Sequence, residues 1–283
     1  MGAKPCKIEF RDVRLAYDDV VVLKHVSFCV AAGELKIVIG RSGAGKSTLL
    51  RLALGLIKPD DGEILIDGIN ITKLEEEDLN PIRRRMGIVF QGAALFSSLT
   101  IYENVAFRPR EMGWSEQKID REVRRVLEFV GMLDAADKLP DELSIGMKRR
   151  VGIARAIVDR PDIILFDEPT AGLDPPTARS MCELVVRLRD IEGITSMFVT
   201  HKLDDVRFLS SMYVEATPSV ETRIVSEDGQ VCLINTKIIM LNGGEIIFDG
   251  TDEQLWASPD PRVRRFILGG DAADQKALNS NGS

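Results

Sequence analysis

The sequence has few cysteines and no closely spaced pair of them. Its four cysteines, Cys6, Cys29, Cys182 and Cys232, are scattered along 283 residues, and none belongs to a Cys-x-x-Cys pair. Structural zinc sites and small disulfide-stapled folds both depend on clustered or regularly spaced cysteines. We therefore expect neither a zinc site nor a disulfide framework, and this cysteine usage fits a reducing compartment.

The sequence also lacks a long apolar run and an excess of positive charge. No stretch of about eighteen consecutive apolar residues occurs, which argues against a membrane-spanning helix. The first ten residues, MGAKPCKIEF, lack the apolar core of a secretory signal. The formal net charge is −7, whereas a nucleic-acid-binding domain needs a basic face to neutralise phosphates. These absences predict a globular protein that binds no nucleic acid and reaches a membrane only through a partner.

Apolar runs and helical patterns alternate along most of the chain. Residues 7–39 indicate three strands, because KIEFRDVRLAY alternates apolar with polar residues, VVLKHVSFCV is β-branched and ELKIVIG is a short apolar run. Further along, the runs MGIVF, DIILF and ITSMFVT are separated by helical patterns, which favours a parallel sheet with crossover helices. We expect an α/β fold with a mixed β-sheet core, an N-terminal antiparallel β subdomain and an inserted α-helical subdomain at about 92–160.

A glycine-rich loop follows the third predicted strand. The segment GRSGAGKST matches G-x-x-x-x-G-K-[ST] and lies between a strand and a helix, the context of a P-loop. Its backbone amides and the helix N-terminus favour a bound phosphate. Lys46 is expected to reach the β- and γ-phosphates, and the Ser47 hydroxyl to bind Mg²⁺. The predicted cradle comprises Gly40, Arg41, Ser42, Gly43, Ala44, Gly45, Lys46, Ser47 and Thr48. The alternative is a merely structural glycine-rich loop.

An acidic pair ends one of the later apolar strands. In IILFDEP, Asp167 is the last strand residue and Glu168 follows at once. A P-loop protein needs an acidic metal partner at the end of a neighbouring strand, so Asp167 is expected to hold Mg²⁺. Glu168 is then placed to polarise the attacking water as general base. The alternative is that the two acids only cap the strand. We favour the metal and general-base roles over it, because the same chain contains a P-loop.

Polar or aromatic side chains mark three further strand ends. Gln91 and His201 each follow an apolar strand, and ligands of open parallel sheets collect at such ends. The glutamine is expected to bind the metal and sense the γ-phosphate, and the histidine to donate a hydrogen bond to the γ-phosphate or the water. Tyr17 ends the first strand, where its ring could stack on adenine. The alternatives are solvated strand boundaries and a turn tyrosine that covers the sheet.

The order of these motifs resembles the nucleotide-binding subunits of ABC transporters, over residues 7 to about 250. The order is Tyr17, the P-loop, Gln91, a Leu-Ser-x-Gly turn, Asp167-Glu168, an AGLD run that ends at Asp174, and His201. The resemblance implies a P-loop NTPase fold and an ATPase whose hydrolysis drives transport. It also implies that ATP and Mg²⁺ bind between two head-to-tail copies, with Ser144, Gly146 and Asp174 among the ATP-binding residues.

The sequence also looks like a narrower family, the ATPase subunits of Mla/Mkl-type bacterial phospholipid transporters (MlaF-like). The segments FQGAALFSSLTIYENVAF, GMKRR and SPDPRVRRFI carry this likeness. It implies an integral-membrane permease, an MCE-domain lipid-binding protein and a STAS-domain protein as partners, and a peripheral position at the cytoplasmic face of the inner membrane. Leu95, Phe96 and Leu99 form the predicted permease-docking surface, unless they belong to the core. The alternative function is the ATPase of another ABC importer or exporter.

The signature turn departs from the family pattern Leu-Ser-Gly-Gly-Gln. Here it is Leu143-Ser144-Ile145-Gly146-Met147, and Ile145 is the true departure. A β-branched residue does not easily adopt positive φ, so the turn works only if Ile145 has helical φ and points away from the phosphate. We favour a working ATPase over a poorly hydrolysing, ATP-dependent clamp, because Lys46, Asp167, Glu168 and His201 are all present.

We expect one ABC ATPase domain over 1–268. Two alternating segments around Glu227-Asp228-Gly229 predict an extra β-hairpin at about 211–236, either exposed to solvent or contacting a partner. A C-terminal amphipathic helix is predicted at about 261–268, with Val263, Phe266 and Ile267 on one face. The polar residues 269–283 are expected to form a disordered tail.

Overall fold

A four-stranded antiparallel sheet contains the first strands of the chain. The computed structural model describes residues 4–215, 223–226 and 235–269. The strands are β1 (Cys6–Tyr17), β2 (Val20–Ala31), β4 (Asp61–Ile66) and β5 (Ile69–Asn70), in the order β2-β1-β4-β5. On β1 the alternation predicted from the sequence buries Ile8, Phe10, Val13 and Leu15. The antiparallel subdomain is therefore confirmed.

A six-stranded sheet forms the centre of the molecule. It comprises β3 (Leu35–Gly40), β6 (Met86–Val89), β7 (Ile163–Asp167), β8 (Thr195–Val199), β11 (Thr236–Asn242) and β12 (Glu245–Gly250), in the order β12-β11-β3-β8-β7-β6. All neighbours are parallel except β12, which pairs antiparallel with β11. The central strands are continuous apolar runs because both faces of the sheet are covered.

Helices cover the sheet and form the inserted subdomain. They are α1 (Lys46–Ala53), α2 (Glu76–Arg83), α3 (Ile101–Glu111), α4 (Glu116–Phe129), α5 (Ile145–Ile157), α6 (Pro175–Asp190), α7 (Leu203–Ser211), α8 (Asp252–Trp256) and α9 (Pro261–Ile267). Between β6 and β7 lie α3, α4 and α5, which confirms the helical insertion. The N-terminus of α3 is fixed by a capping box between Thr100 and Glu103. None of the described helices is both long enough and apolar enough to cross a bilayer.

The central sheet separates two apolar cores. Successive residues of β3 point to opposite faces, so Leu35, Ile37 and Ile39 enter one core and Val38 enters the other. The first core lies under the inserted helices and α6, and the second lies between the central sheet, α1 and the N-terminal sheet. Because β3 is packed on both sides, the loop that follows it starts from a rigid support.

The N-terminal sheet contains one disulfide, although the cysteine pattern predicted no disulfide framework. Cys6 and Cys29 form a disulfide between β1 and β2, with their Cα atoms 5.8 Å apart. The sequence did not reveal this pair because the cysteines are 23 residues apart and are brought together only by antiparallel pairing of the two strands. Cys182 is a buried free thiol, and Cys232 lies outside the described residues.

The C-terminal part contains the predicted helix and part of the predicted hairpin region. Strand β9 (Met212–Glu215) pairs antiparallel with β10 (Arg223–Ser226), whereas the predicted turn Glu227-Asp228-Gly229 lies outside the described residues. Helix α9 buries Val263 in the core of its own chain, and Phe266 and Ile267 pack against the same core. Residues 270–283 of the predicted tail are also outside the described part.

Candidate functional site

The P-loop connects β3 to α1, as the sequence predicts. Gly40 has φ +152°, and a Cβ atom there would lie 2.4 Å from the carbonyl oxygen of Leu241 on the neighbouring strand. Gly45 has φ +97°, and a Cβ atom there would lie 3.0 Å from Leu23 of β2. A larger residue at either position would be strained and would collide with a neighbour. The two glycines therefore let the loop turn tightly between the two sheets.

Lys46 fills the inside of this loop. Its buried Nζ donates hydrogen bonds to the carbonyl oxygens of Gly40 at 2.9 Å and Arg41 at 3.0 Å. The same atom lies 3.7 Å from Oε1 of Glu168. Burial lowers the pKa of the Lys46 ammonium, and the negative charges of Glu168 and Asp167 oppose this shift. The arrangement holds one positive charge at the base of the predicted phosphate cradle.

Ser47 and Asp167 meet directly below the loop. The hydroxyl of Ser47 donates a hydrogen bond of 2.7 Å to Oδ1 of Asp167. They come from α1 and from the carboxyl end of β7, which lies two strands away from β3 in the sheet. Hydroxyl and carboxylate oxygens are hard ligands that suit Mg²⁺, which usually completes its octahedral shell with water and substrate phosphates. This pair therefore fits the metal that the family implies.

Glu168 and His201 form the second polar pair at this edge of the sheet. Nδ1 of His201 lies 3.1 Å from Oε2 of Glu168. Glu168 has φ +46°, a left-handed conformation that is uncommon for glutamate. Its backbone N–H donates to the carbonyl oxygen of Val199, so the end of β8 helps to hold this conformation. The structure thus brings together Lys46, Glu168 and His201, which lie far apart in the sequence.

Gln91 and Tyr17 lie at the margins of this cluster. Val89 of β6 is opposite Phe166 of β7, so Gln91 follows β6 at the same carboxyl edge as Asp167. Its side chain is exposed, and no hydrogen bond joins it to Ser47 or Asp167 among the described residues. Tyr17 ends β1 with 46% of its surface exposed. The chain returns from it into β2, whose first half flanks Gly45 of the P-loop.

The signature turn is the N-terminus of α5. The hydroxyl of Ser144 caps the helix by accepting a hydrogen bond from the backbone N–H of Met147 at 3.3 Å. Ile145 is the first helical residue, has no positive φ and is 61% exposed. The backbone condition for a working turn is therefore met. The direction of its side chain relative to a nucleotide on a second copy stays a prediction.

Close packing against α6 requires a glycine at position 146, and the sequence did not reveal this contact. A Cβ atom on Gly146 would lie 2.5 Å from Cγ2 of Thr177 in the first turn of α6. The same turn of α6 is capped by Asp174, whose carboxylate accepts a hydrogen bond from the backbone N–H of Thr177. Asp174, which the resemblance places near ATP, thus also fixes the start of a helix. The signature turn and the start of α6 form one packed corner.

Asp205 is a buried acid that sequence analysis missed. Its Oδ2 accepts hydrogen bonds of 2.6 Å from the hydroxyls of Thr170 and Thr200. Thr170 lies two residues after Glu168, and Thr200 directly precedes His201. The carboxylate therefore ties together the two segments that carry the catalytic candidates. The available signal was an acidic residue in the first turn of α7, which is ordinary at a helix N-terminus.

Arg155 of α5 is a second residue that the sequence did not single out. Its guanidinium donates to the carbonyl oxygens of Ala94 at 2.7 Å and Ala93 at 2.9 Å, both in left-handed conformation. It thereby holds the segment that follows Gln91. In that segment Phe96 is 44% exposed and its ring contacts that of Phe107 at a tilt of 45°, whereas Leu95 packs against the core. Only part of the predicted docking surface is therefore accessible.

Comparison with known proteins identifies the family. A family model described as "ABC transporter" matches residues 23–171. The chain belongs to the ABC transporter family. One similar structure is CbiO1 from Clostridium perfringens, part of an ABC transporter complex; it is 28% identical with a TM-score of 0.76, and the match covers 90% of this chain and 92% of that one. A second is a dimeric ATP-binding cassette in a post-hydrolysis state with ADP and Pi; it is 30% identical with a TM-score of 0.71, and the match covers 86% of this chain and 98% of that one. These confirm the ABC ATPase fold, and cassettes of this family are Mg²⁺-dependent ATPases.

The curated relatives differ from the narrower family expected from the sequence. The methionine import ATP-binding protein MetN of Brucella abortus is 40% identical over 224 residues, 79% of this chain and 60% of its own length. The MetN of Carboxydothermus hydrogenoformans is 36% identical over 249 residues, 88% of this chain and 66% of its own. The chain spans about three fifths of the length of the first relatives. Their names are those of methionine importers, not phospholipid transporters.

Proposed function

We propose that this ABC cassette is the ATP-hydrolysing subunit of a membrane importer. The observation that carries the proposal is the convergence of five side chains at one edge of the central sheet. Lys46 and Ser47 come from the P-loop, Asp167 and Glu168 from the end of β7, and His201 from the end of β8. Such convergence at the carboxyl ends of parallel strands is typical of a nucleotide site.

Each side chain has a distinct proposed task. Lys46 binds the β- and γ-phosphates, and Ser47 and Asp167 hold Mg²⁺, which neutralises phosphate charge when bound. Glu168 accepts a proton from the attacking water, and His201, whose ring lies 3.1 Å from that carboxylate, donates a hydrogen bond to the γ-phosphate. Gln91 completes the metal site from the end of β6. Tyr17 stacks on the adenine, and residues 40–48 cradle the phosphates.

ATP is proposed to lie between two head-to-tail copies of the chain. One copy supplies the P-loop, and the other supplies Ser144 and Gly146 at the N-terminus of α5. A nucleotide that binds only the closed pair stabilises that pair, so association depends on ATP and reverses after hydrolysis. The exposed Ile145 and Leu139 lie beside this turn, which fits a surface that a second copy covers. The dimeric cassette among the similar structures supports the pairing of two copies.

The permease and its cargo are inferred from relatives and from the segment after Gln91. Import of a small solute of the methionine class is the first candidate, since the relatives carry that name. Phospholipid transport with MCE- and STAS-domain partners is the second, favoured by FQGAALFSSLTIYENVAF, where Phe96 is exposed. Cargo is set by the permease rather than by the ATPase fold. In either case the chain lies at the cytoplasmic face through its permease.

The activity is tested with the purified full chain and Mg-ATP. We expect phosphate release that Lys46→Met abolishes, whereas Lys237→Met leaves the rate within about twofold, because Lys237 lies on β11 away from the loop. Absence of nucleotide binding by the parent chain would overturn the proposal.

The cargo is tested by isolating the tagged chain with its permease from membranes. Stimulation of hydrolysis by a methionine-loaded binding protein supports import, and stimulation by phospholipid with an MCE-domain protein supports the second candidate.

A further inference from the structure

The guanidinium of Arg149 binds the backbone of residues 168–171, the segment that begins with the proposed general base Glu168. It donates hydrogen bonds to the carbonyl oxygens of Glu168 at 3.0 Å, Pro169 at 2.5 Å and Ala171 at 2.6 Å. The side chain comes from α5 and only 5% of the residue is exposed. Among the described residues, no carboxylate forms a salt bridge with it. Arg149 is thus a buried cation whose observed hydrogen bonds all go to one backbone segment.

This segment needs an external partner. Glu168 has φ +46°, and Pro169 has no backbone N–H to pair. The chain therefore turns sharply after β7, and the carbonyl groups of this turn point away from the neighbouring strands and cannot join the hydrogen-bond ladder of the sheet. Buried carbonyl groups without partners are rare because each loses its bond to water. Arg149 donates to three of them at once, and of these the Glu168 carbonyl also accepts from the backbone N–H of Ala171. An unusual backbone conformation persists where surrounding contacts define it fully.

The same helix begins at the signature turn. Ser144 caps α5, and Arg149 lies slightly more than one turn into it. At the other side of this turn, Gly146 packs against Thr177 with no room for a side chain. The helix therefore contacts the 168–177 segment at two points, once by packing and once by hydrogen bonds. Helix α5 thus connects the signature turn to the carbonyl of Glu168.

We propose that Arg149 is a positioning residue: it holds the backbone of Glu168 against α5 and thereby positions the general-base carboxylate. The inference rests on the proposed ATPase function and deepens it, because in a head-to-tail pair the helix end faces the ATP held by the other copy. The contact between the end of α5 and the ATP of the other copy then sets the position of Glu168, which is the general base for the ATP of its own copy. Arg149 touches no substrate in this scheme and acts only through the 168–171 backbone.

An arginine suits this task better than a lysine. Its planar guanidinium presents several N–H groups in fixed directions and can bind three carbonyl oxygens along a chain, whereas an ammonium is a compact donor. Burial lowers the pKa of the Arg149 guanidinium, and the charge of Glu168 opposes that shift. Arg150 is the matched control on the same helix, because its guanidinium binds the Val130 carbonyl and the Ser180 hydroxyl instead.

The first test separates binding from turnover. In the full chain, Arg149→Lys and Arg149→Ala are expected to lower kcat for ATP about tenfold or more, with KM within about twofold, since the P-loop is untouched. Arg150→Lys should leave kcat within about threefold. The lysine variant should retain more turnover than the alanine variant, because its ammonium can still donate to a carbonyl group of the segment. Equal kcat for Arg149→Lys, Arg149→Ala and the parent would overturn the inference.

The second test does not depend on hydrolysis. Hydrogen exchange of the nucleotide-free chain should be about tenfold faster at the amides of Glu168, Ala171 and Leu173 in Arg149→Lys than in Arg150→Lys, while residues 40–48 exchange unchanged. All three amides donate backbone hydrogen bonds, that of Glu168 to Val199 of β8 and the other two to carbonyl groups within the segment. Unchanged exchange there would overturn the positioning role even if the parent is active. A parent without ATPase activity whose exchange responds as expected would instead overturn the proposed function alone.

Discussion

The hydroxyl of Ser47 and the carboxylate of Asp167 lie 2.7 Å apart although 120 residues separate them in the sequence. Their contact joins the first turn of α1 to the end of β7 and places two oxygen ligands at one point. Asp167→Asn is expected to weaken the binding of Mg²⁺, because a neutral amide is a poorer ligand than a carboxylate. Titrating Mg²⁺ at saturating ATP should show a midpoint raised about tenfold or more.

Ser47→Ala removes the other oxygen of this pair and serves as the companion variant. It should raise the same midpoint, while Ser115→Ala, at the exposed start of α4 and outside the loop, should leave it within about twofold. An unchanged Mg²⁺ midpoint in both Ser47→Ala and Asp167→Asn would show that the metal is held elsewhere.

Glu168→Gln tests the general base. The amide keeps the size of the side chain but accepts a proton far less readily, so turnover should fall about 10²–10⁴-fold. ATP binding should persist, because Lys46 and the loop are intact, and an ATP-dependent dimer should accumulate on gel filtration. Glu192→Gln is the control, since Glu192 lies before the amino end of β8, at the opposite edge of the sheet. Wild-type turnover in Glu168→Gln would exclude this role.

Ile145→Gly tests whether the departure in the signature turn matters. Ile145 already has helical backbone and an exposed side chain, so we expect kcat to change by less than about threefold. The glycine should lower stability by up to about 0.5 kcal/mol through its weaker helix propensity. Steady-state kinetics and thermal unfolding check the two parts. A large rise in turnover would mean that the isoleucine side chain obstructs the nucleotide of the partner copy.

Gly146→Ala tests the packed corner between α5 and α6. The added Cβ would lie 2.5 Å from Cγ2 of Thr177, so the variant should lose about 1–3 kcal/mol of stability. Thr177→Ser removes that methyl group and should restore most of the loss in the double variant, as a denaturant double-mutant cycle measures. Simple additivity of the two changes would show that the methyl group does not cause the clash.

The disulfide between Cys6 and Cys29 predicts a redox-dependent stability. The bond closes a loop across 23 residues, and opening it should lower the free energy of unfolding by about 3 kcal/mol. Thermal unfolding with and without reductant measures this loss, and Cys29→Ser should abolish the difference. Cys182→Ser should keep it, because Cys182 is a free thiol. An identical melting temperature of the parent under both conditions would contradict the bond.

The sequence by itself determined the local elements and the chemistry of the site. Alternation and apolar runs indicated β1, β2, β3, β6, β7 and β8, and a glycine-rich loop before a helix indicated the P-loop. Polar residues directly after apolar strands indicated Gln91, Asp167, Glu168 and His201 as candidates. These features depend on short segments, whose backbone geometry and residue types act locally.

The tertiary structure decided which of these segments meet. The order β11-β3-β8-β7-β6 places the ends of β7 and β8 beside the P-loop, and no local pattern encodes that order. The same holds for Cys6 with Cys29, Gly146 with Thr177 and Arg149 with the Glu168 carbonyl. Each pair joins residues far apart in sequence, and its contact exists only because buried strands and helices pack in one arrangement.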